Sequence, residues 1–231
     1  MAIARFGEIP LVTDEFDRQS VAWPYVGRRQ FRILKNYFER LPASVKLLFS
    51  LNIQQIVFRD IPSEKIFYSP MAELIYHWRR KEKPFIVFYP LGRHCREIYK
   101  IFVHELGHSL DPAVAAKAGF RPGNHFPAWA IKAADSKNWK KILRVEPISA
   151  EQSDSDEDDA KKYFRRPEEQ WASRFALTAA IDYLAPAGLV SQSNLSPFRR
   201  ISAARFRSGW PQSYRFFHEY IRRILARAPK N

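Results

Sequence analysis

Residues 104–108 read His-Glu-Leu-Gly-His, and this pentapeptide constrains the chain more than any other feature. On an α-helix, side chains four positions apart lie on one face. His104 and His108 can therefore reach a single tetrahedral metal ion while Glu105 projects beside them toward a bound water. The chemistry this pattern predicts is metal-assisted hydrolysis. By ordinary residue frequencies, His-Glu-x-x-His arises by accident in roughly one chain in a hundred of this length, so its surroundings have to carry the assignment.

Those surroundings read as a buried helix. Across residues 96–110, Ile98, Ile101, Phe102 and Leu106 recur at helical intervals, and Asp111-Pro112 closes the run. Gly107 costs about 1 kcal/mol relative to alanine inside a helix, which predicts that a neighbouring backbone, such as that of a strand, comes too close for a side chain. Asp111 is expected either to accept a histidine N–H, fixing the tautomer of a metal-bound imidazole, or simply to cap.

The rest of the chain predicts an α+β domain, with a small mixed sheet beside the motif helix and a mostly helical C-terminal half. Helical spacing marks residues 30–40, ended by Leu41-Pro42, and residues 44–51. Strands are expected at 55–59, 65–69 and 85–89, with a helix over 71–81. Further on come turn residues at 119–124 and a short helix over 129–139, followed by helices at 168–183 and 212–228. The last of these sets Phe217, Tyr220, Ile221, Ile224 and Leu225 on one face and Arg215, Arg222, Arg223 and Arg227 elsewhere.

With 231 residues, 46% of them hydrophobic and 15% aromatic, the chain suits one packed domain over 1–231, with 1–29 as an N-terminal extension. Residues 151–160 form an acidic loop. Asp154, Asp156 and Asp158 alternate like calcium ligands, but Asp159 replaces the needed glycine and Arg165 the needed glutamate, so the calcium reading fails. A net charge of +14 favours an anionic partner, nucleic acid or acidic protein, beside a protein or peptide substrate. The single cysteine, Cys95, excludes an internal disulfide or a multi-thiolate zinc site. Residues 1–10 lack a signal-peptide core, and the longest apolar run, 175–190, is broken by Asp182 and Pro186. The expectation is a cytoplasmic protein without a membrane span, its oligomeric state open. His77, His94 and His218 show no partner pattern, and Cys95 has no identifiable base nearby in sequence.

A catalytic zinc needs three protein ligands and an open position. Two residues compete to join His104 and His108. His125 sits in Gly-Asn-His-Phe and could swing back over the motif helix; Glu169 opens a helix in Pro-Glu-Glu-Gln-Trp-Ala-Ser-Arg-Phe, with Glu168 as a fallback. Tyr163 lies shortly before Glu169, and a phenol beside the metal could stabilise an oxyanion or protonate a leaving amine.

At this point the chain resembles the zinc peptidases of the anthrax-lethal-factor type and their bacterial relatives around Mlc titration factor A. In that group a His-Glu-x-x-His-x-x-Asp element is followed by a tyrosine and by a helix of the form Glu-Phe-Phe-Ala-x-x-Phe. The counterparts here are His104 to Asp111, Tyr163, and Glu169-Gln-Trp-Ala-Ser-Arg-Phe175, and the likeness spans roughly residues 40 to 185. It implies a zincin-like metallopeptidase domain in which Zn2+ sits on His104, His108 and Glu169, Glu105 is the general base and Tyr163 the oxyanion donor. Departures from the pattern are the spacing of Tyr163, Gln170-Trp171 in place of Phe-Phe, and Ser173 where an acid is common. The His125 alternative resembles SprT-like proteases, which act on proteins bound to DNA. A catalytically inactive zincin used as a binding module, and a transcription regulator acting through the basic C-terminal region, are further expectations of different class.

Overall fold

The structure is a computed structural model describing residues 2–6, 9–12, 28–58, 72–75, 84–89, 97–117, 128–134, 137–146, 165–196 and 201–227. Among the described residues five strands, β1 (Ala2–Phe6), β2 (Ile9–Val12), β3 (Ile56–Phe58), β4 (Ala72–Ile75) and β5 (Phe85–Phe88), form one mixed sheet in the order β1-β2-β3-β5-β4. β2, β3 and β5 run parallel, while β1 and β4 are antiparallel edges. The chain is therefore mixed α+β, and two stretches of the expected N-terminal extension are strands of the sheet.

Strand alternation splits the apolar side chains between two faces. Ile56, Phe58, Ile86 and Phe88 join the main core, whereas Val57, Phe85, Val87 and Tyr89 form a smaller cluster on the reverse side. Burial on both faces explains why the Phe-Ile-Val-Phe run is continuously apolar, as parallel interior strands are. β5 is consequently an interior strand, set between β3 and β4. Residues 72–75 also correct an expectation. They pair with β5 as a strand where the apolar spacing had indicated a helix, because the available sheet edge outweighs a weak helical pattern.

Helices pack against the main face and against one another. They are α1 (Arg28–Glu39), α2 (Ala43–Asn52), α3 (Ile98–Ser109), α4 (Pro112–Lys117), α5 (Ala128–Ala134), α6 (Lys137–Val145), α7 (Pro167–Ala179), α8 (Ala203–Gly209) and α9 (Pro211–Ala226). The short helix expected over 129–139 is two helices, α5 and α6, with residues 135 and 136 between them outside the described residues. The motif helix α3 lies on the sheet through Phe102, whose ring meets Phe88 at 4.4 Å and Phe38 at 5.5 Å between centroids. On its other side α3 packs along α7, which is buried from Glu169 to its end. α7 runs on into a π-turn, Ala180–Leu184, where the Ala185 N–H donates to Ala180 O.

α9 closes the far side through an aromatic cluster in which Trp171 meets Phe217 at 5.0 Å and Trp139 at 5.1 Å. Its N-terminus is capped from a distance. The Glu146 carboxylate accepts the N–H groups of Gln212 and Ser213, each at 2.8 Å, where Pro211 and Trp210 supply no side-chain cap. No helix among the described residues is long and apolar enough to cross a membrane. The expected strand at 65–69, the turn at 119–124 and the acidic loop at 151–160 lie outside the described residues.

Candidate metal centre

The two histidines occupy one face of α3, as the four-residue spacing requires, with ring centroids 4.8 Å apart. Glu105 is buried beside them, and one ligand atom from each of His104, Glu105 and His108 lies within 4.8 Å of the others. This buried His-Glu-x-x-His group could hold a metal ion.

α7 brings a second carboxylate to the same point. Pro167 starts the helix, and Glu168 and Glu169 fill its first turn, where the helix dipole favours negative charge. The two glutamates then diverge. Glu168 points outward to Lys117 at 3.2 Å, a surface pair. Glu169 turns inward and is 4% exposed, with Oε2 lying 3.3 Å from His104 Nε2 and Oε1 3.4 Å from His108 Nε2.

Those distances are long for hydrogen bonds between a carboxylate and an imidazole, which are usually about 2.7–2.9 Å. Tetrahedral zinc with bonds of about 2.0–2.1 Å places neighbouring ligand atoms roughly 3.3–3.4 Å apart. Buried Oε2 has no hydrogen-bond partner, although His104 Nε2 lies 3.3 Å away. A buried carboxylate oxygen normally finds a donor, so one left bare against a ring nitrogen fits a metal ligand. The chemistry of the set, two imidazoles and one carboxylate, also suits zinc.

Helix packing explains how residues so distant in sequence meet. A Cβ placed on Gly107 would come within 2.9 Å of the Ala172 Cα and 3.0 Å of its carbonyl oxygen. Gly107 lies between the two histidines in sequence, and Ala172 follows Glu169 by three positions, almost one turn. The missing side chain thus lets the two helices approach closely enough for the carboxylate to reach both rings. The expected close neighbour of Gly107 is a backbone, but a helix rather than a strand.

The local electrostatics follow from burial and mutual contact. Burial alone would raise the Glu169 pKa, but contact with His104 and His108 outweighs it and holds the carboxyl well below the usual carboxylate range. Burial pushes the His108 imidazole down, while Glu169, Glu105 and Asp111 lift it further, leaving it above its ordinary value. Asp111 is pushed up to about 6, chiefly by burial. Its Oδ1 accepts the Ala113 N–H at 2.8 Å, so it caps α4 and influences His108 through charge.

The structure thus brings His104, His108, Glu105 and Glu169 together and places Glu168 elsewhere. Tyr163 and His125 lie outside the described residues. Sequence reasoning missed Ala172, whose only signal was its place one turn after a candidate ligand. It also missed Glu146, which carries no motif at all. Compared with models of known protein families and with curated proteins, the sequence matches none.

Proposed function

We propose that the chain is a zinc-dependent metalloendopeptidase of zincin-like architecture, with His104, His108 and Glu169 as the residues that would hold Zn2+. The observation that carries this reading is the Glu169 carboxylate set with one oxygen against each imidazole, 3.3 and 3.4 Å away. A buried Glu-His-His triangle serves no packing purpose that apolar side chains would not serve better. When bound, the ion supplies Lewis-acid polarisation and lowers the pKa of a water to about 7.

The protein groups then have separate tasks. Glu105, held beside the histidines by its place on α3, accepts the proton of the attacking water at its carboxylate and passes it to the leaving amine. Asp111 shapes the charge around His108 from the end of the same helix. Tyr163 is the proposed donor to the oxyanion that develops on the peptide carbonyl. An extended peptide would add beside β4, the outermost strand among the described residues on that side of the sheet, which packs next to α3 and is antiparallel to its neighbour.

The test is metal analysis and peptide hydrolysis on the purified full chain. Wild type binds one zinc and cleaves an unstructured protein substrate, and both properties disappear in Glu169→Ala. Retained zinc in Glu169→Ala, with loss in His125→Ala, would transfer the assignment to the SprT-like reading.

A further inference from the structure

We propose that the outer, arginine-bearing side of α9 binds the phosphate backbone of double-helical nucleic acid without reading its sequence. This inference is independent of the metal site. Residues 201–227 contain six arginines against one acid, Glu219, for a net charge of +5 (6 − 1). All six, Arg205, Arg207, Arg215, Arg222, Arg223 and Arg227, are exposed. Arg215 and Arg222 are seven residues apart and so share one stripe of α9, spanning about 10 Å, the rise of roughly three phosphates on one strand of a duplex.

Aromatic rings set the pose of three of these guanidinium groups. Arg223 and Arg227 lie 4.6 and 5.4 Å from the centroid of the Trp129 ring, and Arg207 lies 5.2 Å from that of Tyr214. Contact with a ring face reduces the side-chain freedom that an arginine loses on binding. Among the described residues, neither Arg223 nor Arg227 pairs with a carboxylate, and Arg222 has only Glu219, 3.9 Å away at the surface. A positive patch with so few carboxylate partners among the described residues suits an external polyanion.

The chemistry favours a duplex over the alternatives. A single strand is usually held on open aromatic faces, whereas here guanidinium groups stand over the rings. Insertion into a membrane surface would need a free apolar face, but Phe217, Tyr220 and Ile221 of α9 are buried in the core. Fixed, bidentate-capable arginines match phosphates set at regular intervals on a rigid helix.

The experiment is fluorescence anisotropy of a short labelled duplex of random sequence titrated with the full chain at several salt concentrations. Neutralising four phosphates predicts a slope of log K against log salt of about −3 to −4, or roughly a hundredfold weakening between about 50 and 200 mM. Replacing Arg215, Arg222, Arg223 and Arg227 together by Gln should flatten most of that slope and weaken binding by roughly two orders of magnitude at low salt. The same four changed to Lys should retain most of the binding, which separates loss of charge from loss of fold, and a chelator should have no effect. The proposal is overturned if the Gln variant, folded by circular dichroism, binds like wild type. It is equally overturned if single strands, polyglutamate or anionic vesicles bind more tightly than the duplex.

Discussion

Gly107 and Ala172 meet backbone to backbone, so the helix carrying the two histidines and the helix carrying Glu169 are in contact at a point where no side chain fits. Gly107→Ala should gain about 1 kcal/mol of helix propensity yet lose about 1–3 kcal/mol to overpacking against the Ala172 main chain. The expected outcome is a small net loss in melting temperature with a much larger loss of zinc affinity, since the Glu169 carboxylate is moved off the imidazoles. Isothermal titration with Zn2+ and a thermal melt of the same protein check this; unchanged affinity would show that the crossing does not set the triangle.

The two adjacent glutamates of α7 should behave oppositely. Glu169→Gln removes a buried anion from between the histidines, and zinc content should fall by at least about tenfold. Glu168→Gln loses only its surface contact with Lys117, worth about 0–1 kcal/mol, and should leave zinc content and melting temperature unaltered. Elemental analysis after dialysis distinguishes them.

Glu105→Gln should keep the metal and abolish cleavage, because the amide preserves shape but cannot take a proton. A loss of general-base catalysis of about 10²–10⁴-fold is expected in kcat, with KM nearly constant. Activity within a few-fold of wild type would remove Glu105 from the mechanism.

Asp111 predicts a pH dependence for the metal-free protein. Its folded pKa of about 6 lies above the ordinary value of 3.8, so the native state holds the proton more tightly than the unfolded chain. Its contribution to stability is therefore fully present below about pH 4 and is lost as pH rises to about 6, a change on the order of 2–3 kcal/mol. Asp111→Asn keeps an oxygen to cap α4 and carries no charge, so it should erase this component and melt higher than wild type at pH 7 in chelator. Melts of both proteins from pH 4 to pH 8 give the comparison.

Glu146 accepts both N-terminal N–H groups of α9 from a point 66 residues earlier in the sequence than Gln212. Glu146→Ala should cost about 1–3 kcal/mol by leaving two N–H groups without their acceptor, whereas Gln should recover part of the loss. Zinc affinity should be untouched in both, because Glu146 serves the far end of the core.

The sequence made some of this legible and hid the rest for physical reasons. His104, Glu105 and His108 were readable because four-residue spacing on a helix dictates their common face, and Phe85 to Phe88 because a bounded apolar run has few alternatives. Glu169 was recognisable as a carboxylate at a helix start, but its inward turn depends on the contact at Gly107, which is a tertiary fact. Residues 72–75 misled because strand formation there depends on hydrogen bonds offered by β5, and local periodicity does not record them. The same holds for residues 2–6 and 9–12, which become strands only because β3 has an edge to fill.

The near-complete burial of α7 has a further meaning for how such a protein would meet its ion. From Glu169 onward the helix is buried, with α3 packed along one side and the Phe217 ring of α9 set against Trp171 on another. Stripping and reloading should then be a local exchange through a standing socket, with little change in amide protection along either helix, unlike small zinc domains that dissolve when chelated.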